Sequence, residues 1–258
     1  MQQDSTYQVG TIAVRLLSAG EGATVLFLHG PGGLPAWSGF FESLSKKFRV
    51  IVPEHPGFGT DAHAERIRDV SDLAMYYLDF LDGLGSGPVH LIGHSLGGWV
   101  AAELATRNCT QLKSLTLIAP AGLRVKGVPM GDNFIWSPEE LTRNLYHDQR
   151  LADEILTRPI TDEDADRQLT NRFMAARLGW QPRWFSPRLS QWLHRITVPI
   201  LLIWGREDQL IPSSYATAWE NGIPHLGSYL IAGCGHVPFV EKPAETARAI
   251  LEFLGSDA

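Results

Sequence analysis

The sequence has few cysteines and no long apolar run. Its two cysteines, Cys109 and Cys234, lie far apart and form neither a disulfide framework nor a metal-ligand cluster. No segment reaches the roughly 18 consecutive apolar residues of a membrane-spanning helix, and the first residues lack the basic and apolar stretches of a signal peptide. We therefore expect a cytoplasmic protein that stays in a reducing compartment and has no membrane partner.

Positive charge is also scarce. Lys and Arg total 22 against 28 Asp and Glu, so the formal net charge at pH 7 is −6. This balance leaves no basic patch for phosphates and predicts no nucleic-acid partner. No His, Asp or Glu cluster has zinc-like spacing, and the glycine-rich residues 29–33 lack the lysine of a phosphate-binding loop. We expect no metal and no cofactor, which leaves a small-molecule substrate and water as the partners.

The apolar residues that are present follow an alternating pattern. They make up 44% of the 258 residues, which is enough for one α/β domain with a large core. Short apolar runs alternate with segments of helical periodicity, as expected for a mainly parallel sheet with helices on both faces. The pattern predicts strands at 7–9, 12–17, 25–28, 49–53, 89–92, 112–118, 200–204 and 228–231, the first two as an edge hairpin. It predicts helices at 40–46, 69–84, 99–107, 215–220 and 243–254.

The alternation stops after residue 122 and resumes at residue 198, which indicates an inserted helical segment. Residues 137–140 form a capping box with proline at the first helical position, and further helices are predicted at 161–178 and 187–195. Four of the eight tryptophans lie in this segment. Most of them are expected to pack the insert onto the sheet, and we expect Trp136 and Trp184 to line a substrate pocket.

Residues 93–97, Gly-His-Ser-Leu-Gly, match the Gly-x-Ser-x-Gly pattern that places a serine on a sharp strand-to-helix turn. An apolar strand precedes the pattern and a helical pattern follows it. The glycines allow close approach of the neighbouring backbone while the Ser95 side chain points away from the sheet edge. Because ligands bind at the carboxyl ends of parallel strands, this turn and the glycine-rich residues 29–33 are expected to share one crevice.

A serine hydroxyl needs a base to accept its proton and a third group to orient that base. Glu207 and Asp208 directly follow the predicted strand at 200–204, and either carboxylate could orient a base. His236 lies in a turn after the predicted final strand and before the last helix, which makes it the strongest candidate base among nine histidines. The chain order serine, acid, histidine is that of the α/β-hydrolases.

These motifs together resemble the α/β-hydrolase fold family over nearly the whole chain. The resemblance implies a mostly parallel eight-stranded sheet, a core at residues 1–121 and 196–258, and a helical cap at about 122–195. It also implies Ser95 as the nucleophile and His236 as the general base. The family spacing after Gly205 selects Asp208 as the orienting acid. The residues that carry the resemblance are His29-Gly30, Gly93-His94-Ser95-Leu96-Gly97, Gly205-Arg206-Glu207-Asp208 and Gly235-His236.

An acyl-transfer site also needs donors for the oxygen that becomes negative in the transition state. The backbone N–H of Leu96 is expected to be one donor. Relatives often take the second from the residue after His29-Gly30, but here that residue is Pro31, which has no N–H. Either Gly32 replaces it or the second donor is missing.

The residues are most consistent with a serine hydrolase that cleaves a small to medium apolar carboxylic ester through an acyl-enzyme. Thioester, lactone and amide substrates stay open, because a fold does not fix a function. A second hypothesis is a carbon-carbon bond hydrolase of aromatic ring-cleavage products, although such relatives commonly carry an aromatic residue where this chain has Val237. The third is a non-catalytic ligand receptor on the same fold.

Overall fold

Eight strands form one sheet in the computed structural model, which describes residues 2–59 and 64–255. The spatial order is β1-β2-β4-β3-β5-β6-β7-β8. Neighbours from β4 to β8 are parallel, whereas β2 is antiparallel to both β1 and β4. This confirms the predicted mostly parallel, eight-stranded sheet. The strands are β1 (Gln3–Val9), β2 (Ile12–Ala19), β3 (Thr24–Leu28), β4 (Arg49–Pro53), β5 (Val89–His94), β6 (Leu112–Ile118), β7 (Ile200–Gly205) and β8 (Gly227–Ile231).

Helices flank the sheet and occupy the interval between β6 and β7. None of those in the described ranges is long and apolar enough to cross a membrane. The helices are α1 (Gly39–Ser45), α2 (Val70–Leu84), α3 (Leu96–Arg107), α4 (Pro138–Leu145), α5 (Gln149–Leu156), α6 (Asp162–Gly179), α7 (Leu189–Trp192), α8 (Ala216–Gly222), α9 (Pro238–Glu241) and α10 (Pro243–Gly255). Short 3₁₀ turns follow α7 and precede α8.

The two faces of the sheet carry separate apolar cores because successive strand side chains point to opposite sides. In β3, Leu26 and Leu28 pack in the core beneath α2 and α3, whereas Val25 and Phe27 pack in the core beneath α1 and α10. All four side chains are fully buried. A strand buried on both faces has no polar positions, which explains the continuous apolar runs in the sequence.

Local sequence sets several element boundaries. Gly10, with φ 57°, forms the tight turn of the edge hairpin between β1 and β2. At α2, the Asp69 side chain accepts the Asp72 N–H at the start and Gly85 ends the helix in the left-handed region. The predicted capping box at α4 is present, with Ser137 and Glu140 each accepting the other's backbone N–H.

Some elements differ from the sequence prediction. Helix α3 begins at Leu96 rather than at residue 99, because Gly97 and Gly98 lie inside its first turn. Helices α5 and α9 were not predicted, since each is too short to show a helical repeat. Strand β1 extends back to Gln3 through polar residues, which pair with β2 although most of them are exposed.

Candidate active site

Ser95 occupies the turn between β5 and α3 in a strained conformation, with φ 52° and ψ −113°. A non-glycine residue with positive φ costs free energy and persists only where its surroundings fix it. The Ser95 N–H donates to the carbonyl of Ile118 at the end of β6, at 2.9 Å. This bond holds the serine at the carboxyl edge of the sheet.

The glycines of the motif are needed because backbone atoms fill the space beside them. A Cβ on Gly93 would lie 2.3 Å from the Gly97 carbonyl oxygen, and a Cβ on Gly97 would lie 2.1 Å from the Leu28 carbonyl oxygen. Neither contact could be relieved by rotation of a side chain. The tight turn predicted from the pattern is therefore a packing requirement at both positions.

The structure brings Ser95, His236 and Asp208 together, although they follow three different strands. His236 Nε2 lies 3.0 Å from Ser95 Oγ, and His236 Nδ1 lies 2.7 Å from Asp208 Oδ2. All three residues are buried. An ionised carboxylate only accepts hydrogen bonds, so Nδ1 carries the proton and Nε2 is free to accept the hydroxyl proton of Ser95.

Asp208 is held by donors on both of its oxygens. Oδ1 accepts the backbone N–H groups of Leu210 and Ile211, each at 2.9 Å, and Oδ2 accepts Trp204 Nε1–H at 3.0 Å besides the imidazole. This network fixes the orientation of the carboxylate. Glu207, the alternative acid, accepts the backbone N–H of Cys234 at 3.0 Å instead.

His94, next to the serine, contacts the backbone of the base. Its Nε2–H donates to the carbonyl oxygen of His236 at 3.0 Å. Burial, and then the proximity of His236, lowers the pKa of His94 to about 3, so its ring is neutral at pH 7. The His94 ring therefore holds the backbone of His236. Its Nε2–H bonds that carbonyl and not Ser95 Oγ.

A second pair of buried histidines supports the glycine-rich loop. His55 Nε2–H donates to the His29 carbonyl at 2.8 Å, and Tyr77 Oη donates to His55 Nδ1 at 2.6 Å. His29 Nε2 accepts the His55 N–H at 2.9 Å, which leaves His29 Nδ1–H to donate to the Gly30 carbonyl. Burial lowers the pKa of His29 well below its usual value and that of His55 to about 4. Both rings are neutral, and each of their nitrogens has a hydrogen-bond partner.

The loop after Gly30 forms a turn with Pro31 at its first corner. The Gly33 N–H donates to the Gly30 carbonyl at 3.2 Å, so this N–H is already occupied. Asn171 on α6 donates through Nδ2 to the Gly32 carbonyl at 2.9 Å. A Cβ on Gly33 would lie 2.2 Å from that nitrogen. Gly32 therefore supplies the first N–H after the proline, and its carbonyl is fixed by the insert.

Asn171 also bonds a second loop of the sheet. Its Oδ1 accepts the N–H of Gly59 at 2.8 Å, beyond the end of β4. The side chain is buried, although asparagine is usually exposed on a helix. One amide thus joins α6 to two glycine loops. No sequence signal indicated this role, because a lone asparagine within a helical pattern is uninformative.

Ser95 opens into a small cavity with mostly apolar walls. The cavity has room for about one water molecule. Trp184 forms part of its wall, whereas Trp136 packs against Gly131 and is not among the lining residues. The lining consists of Pro31, Ser95, Ala121, Met130, Asn133, Trp184, Leu210 and Ile211.

Trp184 is fixed in this wall by its backbone and its side chain. It has a positive φ of 55°, its N–H donates to the Gly179 carbonyl at 3.0 Å, and its carbonyl accepts the Gly122 N–H at 3.0 Å. The indole Nε1–H donates to Asn133 Oδ1 at 2.7 Å. Asn133 and Met130, which sequence reasoning missed, come from an irregular stretch without any periodic pattern.

No group of three His, Cys, Asp or Glu side chains within the described ranges is arranged to hold a metal ion. Leu96 begins α3, so its N–H is one of the first N–H groups of a helix, which lack partners inside the helix and favour negative charge. The arrangement can thus activate a hydroxyl and offers a helix N-terminus beside it.

Comparison with known proteins assigns the family. A family profile described as alpha/beta hydrolase fold matches residues 23–243. The chain belongs to the α/β-hydrolase fold family. Among curated relatives, it is 28% identical to a 2-hydroxy-6-oxononadienedioate/2-hydroxy-6-oxononatrienedioate hydrolase of Cupriavidus pinatubonensis, covering 92% of this chain and 89% of that protein.

Other relatives are named as lipid hydrolases. The chain is 24% identical to the monoacylglycerol lipase abhd6-B of Xenopus laevis, over 92% of this chain and 77% of that protein. A crystal structure of a bacterial membrane phospholipase A superposes with a TM-score of 0.83 at 26% identity, covering 99% of this chain and 86% of that one. The relatives therefore include both carbon-carbon bond hydrolases and lipid hydrolases.

Proposed function

We propose that the chain is a serine hydrolase that cleaves a small to medium apolar carboxylic ester by way of an acyl-enzyme. The observation that carries this proposal is His236, which lies within hydrogen-bonding distance of both Ser95 Oγ and Asp208. The apolar lining of the adjoining cavity supports an apolar acyl or alcohol group. No cationic side chain lines that cavity within the described residues, so a charged substrate would lack a partner there.

The proposed reaction has two halves. His236 Nε2 accepts the hydroxyl proton as Ser95 Oγ attacks the ester carbonyl carbon, and the same imidazole returns the proton to the leaving alcohol. Water then gives its proton to His236 and attacks the acyl-enzyme, which releases the carboxylic acid and restores Ser95. Asp208 stabilises the imidazolium in both halves through the bond to Nδ1.

We assign the oxyanion donors to the N–H groups of Leu96 and Gly32. Leu96 is supported by its place at the start of α3, beside the nucleophile. Gly32 is supported by elimination within the loop, because Pro31 has no N–H and the Gly33 N–H donates to Gly30. The Asn171 side chain donates to the Gly32 carbonyl and so fixes the orientation of this residue.

Gly32→Pro should lower kcat about 10² to 10³-fold, because it removes one donor to the developing negative charge. Gly32→Ala is the matched control, since it keeps the N–H and a Cβ at this position meets no atom within 4 Å. The measurement is kcat for a p-nitrophenyl ester, with affinity for a boronic acid as a second readout of transition-state binding. Equal kcat values for the two variants would remove Gly32 from the oxyanion site.

We also propose residues 122–195 as a cap domain over a core made of residues 1–121 and 196–258. Helices α4 to α7 all lie within this interval. The interval also contributes Met130, Asn133 and Trp184 to the cavity, while the strand ends contribute Ser95 and its neighbours. Substrate selection then depends on the cap and bond cleavage depends on the core.

A carbon-carbon bond hydrolase of ring-cleavage products is the second candidate. Several curated relatives have such names, including the Cupriavidus pinatubonensis enzyme and one from Comamonas testosteroni at 28% identity. A neighbouring cleft also shares Met130 and Trp184 with the cavity and contains Arg124 and Arg183. Those arginines could bind the carboxylate of a dienoate, although Arg183 is already paired with Asp132 at 2.7 Å.

Two assays separate the three hypotheses. A fluorophosphonate probe should label Ser95, and labelling should be lost in His236→Ala; folded protein that is never labelled would favour the non-catalytic receptor. A panel of p-nitrophenyl esters of increasing acyl length, with a lactone and a ring-cleavage dienoate, then ranks kcat/KM. Turnover of the dienoate alone would replace the ester proposal with the second candidate.

A further inference from the structure

The outer face of α6 exposes large apolar side chains. Leu169 is 69% exposed, Phe173 65% and Trp180, at the end of the helix, 54%. At 3.6 residues per turn these three positions fall within about 40° of one another. The opposite side of the helix, with Met174 and Leu178, packs into the core. The helix therefore has a second apolar stripe that points away from the protein.

Arginines flank this stripe. Residues 167–188 contain five arginines and no Asp or Glu, although the whole chain has a net charge of −6. Arg172 and Arg177 are exposed and lie on opposite sides of the stripe. The salt bridges of this segment, among described residues, involve Arg167 and Arg183 instead. Arg172 and Arg177 thus form no salt bridge within the described ranges, and Arg177 Nη2–H donates to the backbone carbonyl of Glu65 at 3.0 Å.

A row of aromatic rings connects the stripe to the catalytic cavity. The Trp180 ring contacts Phe134 edge-on at a centroid distance of 5.3 Å, and Phe134 stacks on Trp184 at 5.3 Å. Trp184 is in the cavity wall with Ser95. Ile135, beside Phe134 in the chain, is 77% exposed. These ring contacts therefore link Trp180, at the end of the stripe, to the cavity where substrate is proposed to bind.

We propose that this docking face, formed by Leu169, Phe173, Trp180, Ile135, Arg172 and Arg177, binds the surface of an anionic lipid membrane. Apolar side chains can enter the boundary between headgroups and acyl chains while arginines bind lipid phosphates. A second copy of the chain fits less well, because a symmetric pairing of this face would bring the arginines of both copies together.

This proposal changes the sequence-based expectation of no membrane partner. That expectation depended on the lack of a spanning segment and on the overall acidic charge, neither of which excludes a protein that lies on a membrane. The net charge of the whole chain does not describe residues 167–188, which contain no Asp or Glu and follow the acidic first turns of α6.

Co-sedimentation with vesicles tests the docking face. The protein and its Ser95→Ala variant should bind phosphatidylglycerol vesicles equally, because docking does not use the nucleophile, and both should bind phosphatidylcholine vesicles more weakly. Higher salt should reduce binding to the anionic vesicles. Arg172→Glu with Arg177→Glu should weaken that binding at least about tenfold. Phe173→Ser should weaken it about tenfold through loss of apolar burial.

Met75→Ser is the matched control, because Met75 is 50% exposed on α2, outside the docking face. Its vesicle binding should equal that of the wild type. Failure to bind anionic vesicles at low salt, or equal binding by the charge-reversal variant, would overturn the proposal. So would a dimer in sedimentation equilibrium that Phe173→Ser dissociates, since the face would then bind a second copy. None of these outcomes depends on ester hydrolysis.

Discussion

Ser95→Ala should lower kcat for an ester substrate about 10⁶-fold, to the level that binding and the oxyanion donors alone can support. His236→Ala should cost about as much. The double variant should be no slower than either single variant, because Ser95 and His236 act as one unit joined by the 3.0 Å hydrogen bond. The measurement is kcat of each variant. An active-site titrant counts any contaminating wild-type enzyme, whose activity is subtracted.

The proposed orienting acid, Asp208, gives the sharper comparison. Asp208→Asn should lower kcat about 10⁴-fold, because an amide no longer holds the His236 proton on Nδ1. Glu207→Gln is the matched control, since an amide oxygen can still accept the Cys234 N–H that Glu207 accepts. A larger loss for Glu207→Gln than for Asp208→Asn would identify Glu207 as the orienting acid. It would contradict the assignment of that role to Asp208.

Acidification below pH 6.5 should destabilise the fold steeply. Burial lowers the pKa of His29, of His55 to about 4 and of His94 to about 3, so all three stay neutral in the folded state. The unfolded chain binds a proton at each site below about pH 6.5, so the free energy of unfolding decreases as pH falls. Three protons correspond to about 4 kcal/mol per pH unit near pH 5. Stability is retained above pH 6.5 and lost progressively towards pH 4.

Urea unfolding at pH 7.5, 6.0, 5.5 and 5.0 measures this slope. His94→Gln removes one titrating ring and should reduce the slope by about one third. His225→Gln is the control, because it also removes one histidine, but from an exposed position outside the buried cluster. A free energy of unfolding that stays constant from pH 6.5 to 5.0 would contradict the assignment of three neutral buried histidines.

The sequence was most informative where one signal was strong and local. The central strands were predictable because a strand covered on both faces has only apolar positions, as in β3 and β5. Helix α5 was missed, because eight residues with one buried side chain show no repeat. Helix α9 was missed because four residues span little more than one turn.

The residues of the candidate site also differ in how far the sequence predicted them. Ser95, Asp208 and His236 follow strand ends, so chain order and strand position were enough to bring them together. Met130 and Asn133 lie in an irregular segment, and their place in the cavity wall depends on tertiary packing that no local pattern encodes. Trp184 and Trp136 could not be distinguished by residue type alone, and only Trp184 lines the cavity.

The buried amide of Asn171 makes the chemistry of the site depend on the placement of α6. Moving that helix outward to admit a bulky ligand would break its bonds to Gly32 and Gly59 at once. The peptide that we assign to the oxyanion would then lose its anchor while the cleft is open. If the Gly32 N–H serves as an oxyanion donor as proposed, ester cleavage would require α6 in its present position, with both Asn171 bonds formed.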